Sequence, residues 1–93
     1  MQNEQELLDK IKYKIEVDEY GTIQYYNKSG QLHRDEDRPA VTAPDGTKLW
    51  YQHGFRHRIN GPAIIYTDGT KSWWFDDERI TEEEHAQRTR TNQ

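Results

Sequence analysis

An internal repeat constrains the fold of this 93-residue chain more than any other feature. Three short motifs recur at an offset of 23 or 24 residues: Pro39-Ala40 as Pro62-Ala63, Gly46-Thr47-Lys48 as Gly69-Thr70-Lys71, and His33-Arg34 as His57-Arg58. Self-similarity at a fixed short period indicates that one small structural unit is used more than once. The sequence therefore predicts an array of similar units.

The repeat divides the chain, which we expect to form a single domain, into five segments. These are an N-terminal helix and strand (1–20), a first copy (21–45), a second copy (46–68), a truncated third copy (69–80), and a capping helix with a tail (81–93). The predicted fold class is mainly β: an antiparallel meander of tandem β-hairpins in a single twisted sheet, either open or curled on itself. A short C-terminal helix and a short N-terminal helix are expected to flank it.

Turn and strand signals support the hairpin interpretation. Turns are predicted at Asp18–Gly21, Asp45-Gly46 and Asp68-Gly69, because aspartate caps such turns and glycine supplies a positive φ. Each turn precedes a run rich in threonine and aromatic residues, which is typical of a strand. In register, one face of these strands carries Tyr25, Trp50 and Trp73, and the other carries Tyr26, Tyr51 and Trp74.

The two ends of the chain carry helix signals. Thr81 and Glu84 form a capping box, which predicts the start of the C-terminal helix. Near the N-terminus, Leu7, Leu8 and Ile11 form a short apolar stripe that indicates a brief helix. The alternation of Ile11, Tyr13, Ile15 and Val17 predicts a half-buried antiparallel strand directly after it.

Composition and charge limit the classes of function that the chain can have. The chain is 31% hydrophobic and 32% charged, with eleven aromatic residues, so aromatic clusters are expected to replace a large aliphatic core. It has no cysteine, apolar signal region or membrane-spanning stretch, which predicts a cytoplasmic protein without membrane insertion. The net charge is −4, although residues 46–68 carry three basic residues and one acidic residue. That balance is unlike a general nucleic-acid binder.

The motif G-x-x-H-R-x-x-G-P-A, followed by D-G-x-x-x-W-Y, resembles small tandem-repeat proteins of tailed phages, large DNA viruses and bacteria that are similar to MORN-like repeats. The resemblance covers roughly residues 17–85, and the second copy matches best. The first copy departs from the motif with Arg38 at the glycine position and one extra residue, which leaves the tightness of its loop open. The resemblance implies a β-hairpin array used as an interaction surface, and it implies no activity.

The His-Arg pairs are interpreted as structural, because catalysis needs groups that converge in one pocket and a repeated motif places copies apart. We expect each histidine to bond loop backbone and each arginine to stack on an aromatic ring of the neighbouring unit. The predicted structural motif comprises His33, Arg34, Pro39, Gly46, His57, Arg58, Gly61, Pro62 and Gly69.

Other chemical candidates are weak. His53 and His57 have metal-ligand spacing only on a helix, and the strand pattern argues against one. The acidic runs 76–78 and 82–84 are interpreted as a solvated turn and a helix start. We therefore expect no catalytic residue, metal or cofactor, and no enzyme activity.

The predicted function is a non-enzymatic protein-interaction module, such as a phage accessory protein that binds and inhibits or modulates a host or defence factor. The candidate interface is Tyr26, Tyr51, Arg56, Arg58 and Trp74. Exposed aromatics beside arginine serve as protein hot spots or stack on unpaired bases. Binding of RNA or single-stranded DNA through the central copy is therefore the alternative, less favoured because of the acidic net charge, and self-association is a further alternative.

Overall fold

The computed structural model describes residues 3–90, which form two helices and nine strands. The helices are α1 (Glu4–Lys12) and α2 (Glu82–Arg90), and the strands are β1 (Lys14–Val17), β2 (Ile23–Tyr26), β3 (Val41–Thr42), β4 (Lys48–Leu49), β5 (Tyr51–Gln52), β6 (Phe55–Arg56), β7 (Ile64–Ile65), β8 (Lys71–Phe75) and β9 (Glu78–Ile80).

The strands form two antiparallel sheets. Seven of them make an open sheet in the order β1-β2-β3-β4-β7-β8-β9, and β5 and β6 make a separate hairpin. The mainly β, antiparallel prediction is confirmed, whereas the expectation of one sheet is wrong. The chain leaves the main sheet at Trp50, whose N–H bonds the Ala63 carbonyl while its own carbonyl accepts the His57 N–H.

The predicted turns are confirmed, and aspartate caps each of them. The Oδ1 atoms of Asp18, Asp45 and Asp68 each accept the backbone N–H of the residue two positions later. Two more turns, His53-Gly54 and Asp76-Asp77, have positive φ at both residues. Positive φ at both central positions is the geometry that two-residue hairpin loops favour.

Helix α1 is confirmed, and it shortens the strand predicted after it. Asn3 caps the helix by accepting the Glu6 N–H, and the Tyr13 N–H bonds the Asp9 carbonyl at the other end. Ile11 therefore lies in the helix and is 72% exposed, so its predicted strand position is wrong. The alternation is interrupted because the Asn3 cap and the bond from the Tyr13 N–H to the Asp9 carbonyl keep the chain helical up to Lys12.

The capping box of α2 is confirmed. Thr81 Oγ1 accepts the Glu84 N–H, and Glu84 Oε1 accepts the Thr81 N–H. His85 is the buried residue of α2, and its ring lies 4.8 Å from that of Trp73. The helix thereby covers β8, while the predicted tail at 91–93 lies outside the described residues.

The core is small and lies where the repeated motifs meet the sheet. Ala40 and Ala63, which follow the two prolines, have no exposed surface. The other buried apolar side chains are Tyr13, Trp50, Ile64 and Ile80. In the aromatic rows only Trp50 is buried, and Tyr25, Tyr26, Tyr51, Trp73 and Trp74 are half-buried. Neither α1 nor α2 is long and apolar enough to span a membrane.

Candidate functional site

The two motif arginines make matching contacts. The guanidinium carbon of Arg34 lies 3.8 Å from the ring centre of Tyr25, and that of Arg58 lies 3.8 Å from the ring centre of Trp50. Their Nη1 atoms donate to the carbonyls of Pro39 and Pro62, each at 3.2 Å. Each arginine thus stacks on a ring of its own segment. The expectation that it stacks on the neighbouring unit is wrong, because the loop folds back over its own strand.

The two motif histidines hold the tip of the hairpin that follows. His33 Nδ1 accepts the His53 N–H at 3.0 Å, and His57 Nδ1 accepts the Asp76 N–H at 3.1 Å. These bonds hold the two-residue turns described above, whose second residues, Gly54 and Asp77, also donate to the carbonyls of Leu32 and Arg56. Both histidines therefore bond loop backbone and join one hairpin to the next.

The first loop, residues 33–39, is covered by α1. Asp9 projects from the helix and accepts two bonds from Arg38, at 2.9 and 3.0 Å, and one from Arg34 at 3.2 Å. On the other side of the loop, Asp35 pairs with Lys12 at 2.8 Å and accepts from His33 Nε2 at 2.9 Å. Charged groups of α1 thus pair with both an arginine side and an aspartate side of this loop.

Asp9 is the electrostatic centre of this contact. Burial raises the pKa of its carboxyl, but hydrogen bonds from Arg38 and Gln5 and the charges of Arg38 and Arg34 outweigh burial and hold the pKa below 3.8. The Nε atoms of both arginines are buried with no hydrogen-bond partner within residues 3–90. The cluster therefore depends on the Asp9 carboxylate to compensate two desolvated cations.

The second loop, residues 57–62, has the same inner contacts but a different cover. Asp37 of the first loop accepts from Arg58 Nε at 2.9 Å and from Nη2 at 3.2 Å. Glycine at position 61 leaves room for the Arg58 guanidinium in this position, since a Cβ there would lie 3.0 Å from Arg58 Nη1. Ile59 stands where the first loop has Asp35, and no partner for His57 Nε2 is found among residues 3–90.

An open cleft of about 680 Å³ lies beside this second loop. Its apolar lining is Trp50, Phe55 and Ile59, and its polar lining includes Asp37, His53, His57 and Asp76. Phe55 and Ile59 are 50% and 51% exposed, whereas Trp50 is buried and donates from Nε1 to the Asp37 carbonyl. The cleft thus combines a rigid indole wall with two exposed apolar side chains.

The residues predicted as an interface do not form one surface. Arg56 stacks on Trp74 at 3.7 Å and faces Tyr51 across the β5–β6 pair. Its Nε also donates to Asp77 at 2.6 Å. Tyr26 lies apart in β2, opposite Lys14 of β1, and burial and the nearby Glu16 raise its pKa. Arg58 belongs to the second loop through Trp50 and Asp37.

Asp9, Phe55 and Ile59 were missed at the sequence level. Asp9 carried no local signal, because its partners lie 25 and 29 residues away. Ile59 could have been found by comparing the two motif copies, since it replaces a charged residue with an apolar one. Phe55 follows the His53-Gly54 turn and could have been noticed as a large apolar residue at a hairpin tip.

Comparison of the chain with family models, with curated proteins and with solved structures found no match. Among the described residues, no group of three or more histidine, aspartate or glutamate side chains is placed to hold a metal ion.

Proposed function

We propose that this protein is a non-enzymatic protein-binding module and that the cleft beside the second loop holds an apolar segment of a protein partner. The observation that carries this proposal is the half-exposure of Phe55 and Ile59 beside the buried indole of Trp50. Apolar side chains around a concave site, with a few polar groups at its rim, are typical of binding pockets and of interface hot spots.

The contacts of the motif residues support a role in assembly and not in bond chemistry. Both histidines use Nδ1 to accept a backbone N–H. Both arginines are stacked, hydrogen-bonded to a carbonyl and paired with a carboxylate. A residue held by three contacts of this kind is fixed in position, which suits a scaffold that presents a binding surface.

The same contacts support the interpretation of residues 21–45 and 46–68 as two copies of a MORN-like hairpin unit. Each copy places an arginine over its own aromatic ring and a histidine against the next hairpin. The resemblance implies an interaction surface, and we infer a host or defence factor as its partner.

Nucleic acid is the less favoured partner. Arg56 and Arg58, the cations that would contact phosphate, are already paired with Asp77 and Asp37. The carboxylates of Asp37 and Asp76 also line the cleft, where they would repel a phosphate backbone.

Selection from a random peptide library against the full chain tests this proposal. We expect enrichment of peptides with apolar residues, and we expect Ile59→Glu to weaken their binding at least tenfold, because it places a charge in the apolar wall. Tyr20→Glu is the matched control, since Tyr20 is exposed, lies in the Asp18–Gly21 turn and is not part of the cleft lining.

Two results would contradict the proposal. One is equal peptide binding by the Ile59→Glu variant and the unmodified chain. The other is tight binding of a single-stranded RNA oligonucleotide with steep salt dependence and no peptide enrichment, which would favour the nucleic-acid alternative.

A further inference from the structure

The face of α1 that carries Leu7, Leu8 and Ile11 is apolar and largely exposed within the described residues. Leu7, Leu8 and Ile11 are 50%, 51% and 72% exposed. The buried residue of the helix is Asp9, which lies about 200° around the axis from Leu7 and Ile11 at roughly 100° per residue. The helix is therefore held by its charged side, and its apolar side faces outward.

The charges of α1 are arranged from one end to the other. Glu4 and Glu6 lie in its first turn, and Lys10 and Lys12 lie in its last turn. Beyond the last turn, a groove of about 340 Å³ is lined by Ile11 and by three lysines, Lys12, Lys14 and Lys28. The acidic end and the basic groove are separated by the length of the helix, about 13 Å for nine residues.

This arrangement is complementary to itself under a twofold rotation. If two α1 helices pack antiparallel through their apolar faces, Glu4 of each copy, which lies on the same side as Leu8 and Ile11 at roughly 100° per residue, reaches the lysine groove of the other, and Glu6 adds negative charge at the same end. A twofold interface needs such a self-complementary patch. β1, which follows α1 directly, is the edge strand of the seven-stranded sheet and is free along one side within the described residues.

We propose that the outward face of α1, with the adjoining lysine groove, is the self-association surface of this protein and that its occupant is α1 of a second copy. The contact is small, because a nine-residue helix cannot cover the roughly 1,200–2,000 Å² that a stable interface buries. The dimer is therefore concentration-dependent, with a dissociation constant on the order of 100 µM.

Sedimentation equilibrium of the full chain over a range of concentrations tests the dimer. We expect Leu8→Glu to weaken self-association at least tenfold, with the far-ultraviolet circular dichroism unchanged, because glutamate has a helix propensity close to that of leucine. Tyr66→Glu is the control, since Tyr66 is an exposed aromatic after β7 and should leave the dissociation constant unchanged. A monomer at about 1 mM, or equal association by the Leu8→Glu variant, would overturn the proposal.

A charge-exchange experiment tests the antiparallel arrangement itself. The variants Glu4→Lys/Glu6→Lys and Lys14→Glu/Lys28→Glu each place like charges at both ends of the contact, so neither should self-associate. Mixed together, they should form a heterodimer, because the basic end of one variant then meets the acidic groove of the other, and the acidic end of the second meets the basic groove of the first. Failure of the mixture to associate, while the unmodified chain forms a dimer, would exclude the antiparallel arrangement. It would also show that the self-association surface had been wrongly assigned.

Discussion

The loops around His33-Arg34 and His57-Arg58 share their inner contacts and differ in what lies over them. In both, the arginine stacks on a ring of its own segment and the histidine accepts a backbone N–H from the next hairpin. The first loop is then covered by α1 through Asp9, whereas the second is left beside an open cleft. The difference shows that the same inner contacts occur in a loop that is covered and in one that lies beside a cleft, and that the two loops differ at positions such as Asp35 and Ile59.

The largest expected effect comes from opening the closed loop. Asp9→Asn should lower the free energy of unfolding by about 3 kcal/mol, because Arg34 would remain desolvated without a carboxylate and Arg38 would keep only its pair with the exposed Glu36. Asp37→Asn is the matched change, because it removes the carboxylate partner of Arg58 in the open loop, and it should cost only about 1 kcal/mol, since the Asp37 side chain is 36% exposed and solvent screens its pair. Urea unfolding of both variants measures the difference, and equal losses would contradict the contrast between the loops.

A smaller difference should separate the two histidines. His33→Ala should cost about 2 kcal/mol, because it leaves the His53 N–H without its acceptor and removes one of the two charged or polar partners of the Asp35 carboxylate, the other being Lys12. His57→Ala should cost about 1 kcal/mol, since His57 has no carboxylate at the position of Asp35. Thermal unfolding at matched protein concentration checks the order, and a greater loss for His57→Ala would reverse our assignment of the tighter loop.

Even a small substitution of Gly61, the glycine of the second loop, should lower the stability of the fold. Gly61→Ala should cost about 1 kcal/mol, because its Cβ would push Arg58 off the Trp50 ring. Arg38 occupies the corresponding position in the first loop, so Arg38→Ala should lower the free energy of unfolding mainly because the ion pair with Asp9 is lost. The near-ultraviolet circular dichroism signal of Trp50 should change in Gly61→Ala and stay unchanged in Arg38→Ala. An unchanged signal in Gly61→Ala would argue against close packing of Arg58 on the Trp50 ring.

The smallest expected effect is a difference in pH dependence. The folded-state pKa of Asp9 lies below 3.8, so its contribution to stability is present above that pH and is lost as the pH falls below it. Asp9→Asn should therefore lose less stability than the unmodified chain as the pH falls below 3.8. Parallel losses in both chains, measured as urea midpoints, would show that Asp9 is not the group that titrates in this range.

Local features of the fold were predictable from the sequence. The aspartate-capped turns and the Thr81–Glu84 capping box depend on residues within four positions of each other, so both can be recognised from the local sequence. The strand from Ile11 was wrong because helical and alternating periodicities overlap there, and only the Asn3 cap and the packing of Tyr13 decide between them.

The candidate site was less predictable, because it depends on contacts between distant residues. Nothing near Asp9 in the sequence indicates that it will insert between two arginines more than 20 residues away. The stacking direction of Arg34 and Arg58 depends on how each loop folds back, which the repeat period does not specify. Ile59 differs from Asp35 in the aligned motif, and that single difference was the available signal for an open second loop.

The most direct test of the contrast between the loops is a titration of the isotope-labelled protein with a selected peptide, followed by nuclear magnetic resonance. The indole N–H of Trp50 donates to the Asp37 carbonyl and lies at the cleft, so it reports binding there. We expect shifts at Trp50, Phe55 and Ile59 and none at Tyr25 or Asp35. Shifts centred on the first loop, or an unchanged Trp50 indole at saturation, would contradict the claim that the second loop is the open binding site.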